Sequence, residues 1–300
     1  MRISTGQWYR QGVNAMLNNQ STLSKTQLQL ATGQRMLAPS DDPGAATRVL
    51  ELDQLLSAVS QYQRNGDAAE SRLRREENVL ESSGDILQRV RELAVRAVNG
   101  SLSAGDRQAI ATEAREHLAG LLSMANATDT NGETIFGGYR TDVPAFVDDG
   151  AGNFTYQGDQ GQRLMQIGSA RHVATNDPGS SVYMGIDDGN GGITDAFSIL
   201  NDFITDLDNN TPSGTTLTAL DNAMDQIQTV RTKIGGRMNA IENQRGINDS
   251  FGLVMEQNRS ILEDLDYGEA VSRLQQQQLI LQASQQSFMK VEGLSLFNYL

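Results

Sequence analysis

Bulky apolar residues recur every seven positions at both ends of this chain, and little else at either end is apolar. Toward the C-terminus the series is Tyr267, Leu274, Leu281 and Phe288, and the positions three further on are Ala270, Gln277, Ser284 and Val291. Toward the N-terminus it is Tyr9, Met16, Leu23, Leu30 and Leu37, interleaved with Gly12, Asn19, Thr26 and Gly33. Each series is a heptad whose first position is large and whose second is mostly small or polar, a coiled-coil seam of low bulk. A lone helix with so thin a stripe is marginal in water. The ends therefore predict helices that close only on each other or on further copies of the chain. On this reading the assembly interface comprises Tyr9, Met16, Leu23, Leu30, Leu37, Tyr267, Leu274, Leu281, Phe288 and Val291, and Leu281 and Phe288 stay exposed until assembly.

Between the ends, a break at 37–44 contains Pro39 and Pro43, with Ser40 or Asp41 available to cap the next helix. Helical periodicity then runs over 45–99, and a turn at 99–105 leads into a second helix over 104–126, the two forming a helical hairpin. Residues 131–194 are rich in glycine and carry short β-type runs at 133–136, 145–147, 154–156, 164–167, 172–174 and 182–184. Helical patterning returns at 195–207 and again from 215 to 265, where Gly235 and Gly236 predict a bend or a close approach. The fold class is mainly α with a small β-rich insert: an elongated, nested architecture of antiparallel long helices and terminal coiled-coil helices. Its expected domains are 1–40 plus 267–300, 41–130 plus 195–266, and 131–194.

Composition narrows the function. The chain has 300 residues, no cysteine and a net charge of −13, which argues against disulfides, thiolate chemistry, and non-specific binding to nucleic acid or an anionic membrane. The charge is uneven: residues 1–40 hold Arg2, Arg10, Lys25 and Arg35 and no acidic residue, so the ends are weakly charged and suited to being covered. The N-terminus lacks an apolar signal core, and no apolar run is long enough to span a bilayer. Either residence inside the cell or export without a cleaved signal fits. His117 and His172 have no nucleophile or acid at a telling spacing, so no catalytic, metal or cofactor site is expected. Asp148–Asp149–Gly150 and Asp187–Asp188–Gly189 lack calcium-loop spacing and read as tight turns. Arg72, Arg74 and Arg75 beside Glu76 and Glu77 read as salt bridges along a solvated helix face.

Several stretches together resemble a family. The opening MRIST, the segment GQRMLAPSDDPGAA at 33–46, the passage DTNGETIFGGY at 129–139, and the ending with LILQASQQSFMKV at 279–291 and a terminal SLFNYL are similar to the bacterial flagellin superfamily. Within it they look most like the branch found between hook and filament. The resemblance covers both helical flanks and reaches the insert only by position. It implies a structural protein, not an enzyme, exported unfolded through the flagellar type III apparatus to the extracellular flagellum without a cleaved signal peptide. It further implies a ring of about eleven copies, with an inner tube of terminal helices and an outward-facing insert. The implied partners are the first hook-associated protein, flagellin, and an export chaperone on the C-terminal segment. The alternative within the superfamily is a short flagellin that builds the filament itself.

Overall fold

A computed structural model of the chain describes residues 5–293. Its elements in order are α1 (Thr5–Thr32), α2 (Pro43–Ala97), α3 (Ala104–Ala125), β1 (Phe146–Asp148), β2 (Phe154–Tyr156), β3 (Leu164–Gln166), β4 (His172–Ala174), α4 (Gly179–Tyr183), β5 (Met184–Asp187), β6 (Ile193–Asp195), α5 (Ala196–Asp208), α6 (Thr215–Glu263) and α7 (Tyr267–Gly293). The chain forms two compact units, Met1–Ala58 with Ser250–Leu300, and Val59–Asp249.

In the Val59–Asp249 unit, α2 supplies a heptad stripe of Leu73, Leu80 and Leu87, all fully buried together with Val90 and Leu93. The α3 helix opens on a capping box: Ser103 Oγ accepts from the Asp106 amide and Asp106 accepts from the Ser103 amide. Asp195 caps α5 by accepting from the amides of Phe197 and Ser198, and α3 packs on α5. The α6 helix contributes Leu220, Ile227, Val230, Ile234 and Ile241 to the same core. The insert is three separate antiparallel ladders, β1–β2, β3–β4 and β5–β6. Phe146 joins the insert to the helical core, its ring 4.9 Å from Phe197 and 5.7 Å from Tyr183. Asp149 and Asp188 each accept from two amides inside a hairpin turn, as tight turns require.

Four local expectations are corrected. Residues 133–136 form only an isolated antiparallel bridge and no strand: Glu133 O accepts from Asp129 N and Ile135 N donates to Ala127 O around Thr128–Thr134, while Thr134 N turns to Thr141 O in another segment. Val182 and Tyr183 end a short helix, and the strand starts at Met184; its partner β6 is an element that periodicity missed. The α6 helix continues through Gly235 and Gly236, and a Cβ on either would meet nothing within 4 Å, so close approach is not their role. The cap of α2 is Asp42, whose carboxylate accepts from the Ala45 amide with Pro43 in the first helical position. Asp41 instead closes the preceding turn, taking the amides of Leu37 and Ala38.

The expected solvated face at 72–77 is also corrected. Glu76 is buried at 1% exposure, and Glu77 reaches across to Arg231 of α6 at 2.8 Å. Glu76 Oε1 accepts from the Asp177 amide at 2.9 Å. The Asp177 carboxylate is itself held by both Arg237 nitrogens, at 2.7 and 2.8 Å, and by Gln162 at 2.9 Å. A network of Glu76 from α2, Asp177 and Gln162 from the insert and Arg237 from α6 thus ties the insert down. Burial pushes the Glu76 carboxyl well above its ordinary range, and the nearby Asp177 carboxylate pushes it the same way; the Asp177 amide and Arg237 only partly oppose this. For a raised acid, the stabilisation is fully present below the unfolded-state value of about 4.3 and is lost as pH rises through the folded-state value. Glu76→Gln is therefore expected to gain in melting temperature relative to the parent as pH is raised from mildly acidic to alkaline. Thermal melts of both proteins across that range check it, and a pH-independent difference would refute the buried-carboxyl account.

Candidate assembly interface

The Met1–Ala58 and Ser250–Leu300 unit carries the residues singled out by the heptads. Its two helix breaks meet as backbone. Arg35 N donates to Glu263 O at 2.8 Å and Leu265 N to Gly33 O at 3.0 Å, a short antiparallel bridge. Gly33 has φ +72, and a Cβ there would sit 2.9 Å from the Tyr267 hydroxyl, so this position needs glycine on two counts. Asp266 caps α7 through the amides of Gly268 and Glu269. With both breaks pinned, α1 and α7 leave side by side and pack on each other in antiparallel register.

The register matches the sequence pattern. Tyr9 lies with its ring 5.2 Å from Phe288, Gly12 faces Phe288, and Asn19 Nδ2 donates to Ser284 Oγ at 3.2 Å. Met16, Leu23, Leu30, Leu274, Leu281 and Phe288 are half-buried, and Thr26 and Ala270 are buried between them. The seam is poor in other ways: Gln277 Oε1 and Arg273 Nε are buried with no partner, a desolvation cost that two apolar positions would avoid. Tyr9 and Tyr267 remain 55% and 56% exposed. One of the expected interface residues is placed differently, and one falls outside the described side chains. Leu37 lies beyond the end of α1, in the turn closed by Asp41, against Pro39, Ala46 and Val49. Val291 is on α7, but its side chain lies outside the described residues. The expectation that Leu281 and Phe288 are exposed before assembly is corrected, because α1 of the same chain covers them in part.

What the pair leaves uncovered was not read from the heptads. Leu17 (57% exposed) and Leu28 (54%) lie on α1, and Leu279 (68%) lies on α7, away from the seam. Leu17 and Leu28 are eleven residues apart, three helical turns, and that spacing was the available signal. The α2 and α6 segments of this unit add exposed Leu55, Val254 and Ile261, and Leu55 and Ile261 line an open groove of about 510 Å³ together with Leu52, Met255 and Leu262. A protein that works as a monomer seldom leaves this much apolar surface open. Among the described residues no helix is long and apolar enough to cross a membrane, and no cluster of acidic or histidine side chains could hold a metal. His117 is partly buried 3.8 Å from Glu113 on the same helix, and His172 is exposed on β4.

The family model for the bacterial flagellin N-terminal helical region matches residues 3–141, and that for the bacterial flagellin C-terminal helical region matches residues 217–300. The chain is 32% identical to the flagellar hook-associated protein 3 of Escherichia coli strain K12 over 316 aligned residues, covering 99% of each. It belongs to the hook-associated protein 3 family of flagellar proteins. Members of this family are structural proteins of the flagellum. A solved putative flagellar hook-associated protein from Vibrio parahaemolyticus superposes with a TM-score of 0.67 at 26% identity, covering 74% of this chain and 99% of that one. Similarity extends to a flagellin of Bacillus subtilis strain 168, at the lower identity of 24% over 286 residues, 91% of this chain and 90% of that one. The two family-model matches lie outside the β ladders, on regions that include α1 and α7, whereas the alignment to the Escherichia coli relative runs the length of the chain.

The half-buried seam and the uncovered outer face should respond differently to the same substitution. Leu281→Asp or Phe288→Asp should destabilise the α1–α7 pair by about 1–3 kcal/mol, whereas Leu279→Asp should stay within about 0.5 kcal/mol. Amide hydrogen exchange of the monomer over α1 and α7 measures both, and equal protection in all three variants would show that the seam does not form before assembly.

Proposed function

We propose that this chain is an adaptor of the flagellar axis, a ring between hook and filament held together by its terminal helices. The observation that carries the reading is the α1–α7 pair: its seam closes within one chain while Leu17, Leu28 and Leu279 face outward with nothing over them. A surface of that kind on two basic-to-neutral helices fits other copies of the same helices better than water. In this reading the heptad residues set the shape and register of each protomer, and their uncovered neighbours make the contacts between protomers.

The further roles rest on family membership and the sequence resemblance. Residues 1–40 with 267–300 are the assembly domain, 41–130 with 195–266 the helical bundle, and 131–194 the β-rich insert. Neighbours are the first hook-associated protein on one side and flagellin on the other, in a ring of about eleven copies. A chaperone holds the C-terminal segment before type III export, and the site of action is extracellular. The role is mechanical and not catalytic.

The similarity to the Bacillus subtilis flagellin supports a second reading, a short flagellin that grows into a filament. Purified chain added to filament fragments separates the two. An adaptor should bind fragment ends and stop, leaving fragment length unchanged in electron micrographs; continued elongation would establish the flagellin reading. Leu17→Asp and Leu279→Asp should abolish end binding while leaving the monomer melt unchanged.

A further inference from the structure

We propose that the cleft between α2 and the 129–141 segment of the Val59–Asp249 unit binds a small oxyanion, a carboxylate or phosphate group. Three guanidinium groups, from Arg72, Arg75 and Arg163, line a cavity of about 40 Å³ together with the carboxylates of Asp129 and Glu133. These five groups leave one surplus positive charge in a chain whose net charge is −13.

The partners of each group decide what is free. Arg163 is already paired, with Nη1 donating to Glu133 Oε2 at 2.8 Å and Nη2 to Thr141 Oγ1 at 3.3 Å. That contact also occupies Glu133. Asp129 Oδ1 accepts from the amides of Asn131 and Glu133, at 2.8 and 3.0 Å, Oδ2 accepts from Asn131 Nδ2 at 3.4 Å, and among the described residues Asp129 makes no direct ion pair. Burial alone would raise its carboxyl, yet those amides and the field of Arg75 and Arg72 hold it below its ordinary value. Arg75 has only Ser71 Oγ, at 3.3 Å, and among the described residues Arg72 has no hydrogen bond or ion pair. Both are half-buried.

Neighbouring arginines are not left this way. Arg74 pairs with Glu70, Arg231 with Glu77, and Arg237 with Asp177. Arg72 and Arg75 share only the field of Asp129 and form no direct ion pair with it; a half-desolvated guanidinium so placed has donors to spare, and its planar fork matches the two oxygens of a carboxylate or phosphate. Arg72 and Arg75 are three residues apart on one face of α2, so both forks can address one anion. A water needs roughly 10–15 Å³ by this measure, so the cavity holds about three waters or one such head group, and excludes a nucleotide. The anion has two sources: a free ion, or an acidic side chain of a second copy of the chain.

The test uses the full chain and inorganic phosphate at ionic strength held constant with sodium chloride. A free-ion site predicts saturable phosphate binding by calorimetry and a matching rise in monomer melting temperature. Both should weaken by at least about tenfold in Arg72→Gln with Arg75→Gln, because two charge-assisted forks are lost. The phosphate effect is read against each protein's own phosphate-free melt, because the double variant also loses the Arg75–Ser71 hydrogen bond and the field of both arginines on Asp129. If phosphate leaves the monomer unchanged, a side-chain source predicts that the same double variant assembles less well by sedimentation while Leu17→Asp fails through the terminal helices. No saturable phosphate binding together with undiminished assembly of the double variant overturns the proposal. The monomer arm is independent of the adaptor role, so failure of either leaves the other distinguishable.

Discussion

The short backbone bridge that joins the two helix breaks is the constraint on which the terminal unit depends. Arg35 to Glu263 and Leu265 to Gly33 are only two hydrogen bonds, but they fix where α1 ends and α7 begins on the same few ångströms of space. Two helices of 28 and 27 residues with thin apolar stripes would not find a unique register by burial alone. Pinned at one end, they inherit it. Gly33 makes this possible: the left-handed turn at that position brings α1 to a stop and leaves room for the Tyr267 hydroxyl. The polar contact of Asn19 with Ser284, well along the seam, then penalises slippage, as polar seam positions do in coiled coils.

A weak seam is consistent with the work proposed for it. Buried Gln277 and Arg273 atoms without partners, together with small residues at every second position, keep the pair marginal in isolation. Its outer face then adds burial only when further copies arrive. The Val59–Asp249 unit is built in the opposite way, on Leu73, Leu80 and Leu87 at full burial and on the Glu76–Asp177–Arg237 network. That network spends a buried charge to hold an insert whose own ladders are too short to be stable alone.

Much of the fold was legible in the chain. The long helices, the position of the insert, four of the six strands to within a residue, and the matched heptads of the two ends are consequences of periodicity and turn chemistry. Each of these is a local property repeated over many residues. The pairing partner of β5, the absence of a strand at 133–136, and the identity of the α2 cap were not legible, because each depends on which distant backbone is within reach. The candidate interface was legible in the same partial way. The heptads named the residues that hold α1 to α7, but periodicity alone does not say whether a stripe faces its own chain or another.

The sequence by itself determined that the ends are helices with a matched and thin seam, because spacing and residue size are written directly in it. Only the tertiary structure decided that this seam is satisfied within one chain, leaving Leu17, Leu28 and Leu279 as the surface still open. It likewise decided that Glu76 lies inside the protein, while Arg72, four residues before it, makes no direct ion pair among the described residues. Burial and pairing are properties of what the rest of the chain brings alongside, and no local pattern of residues contains them.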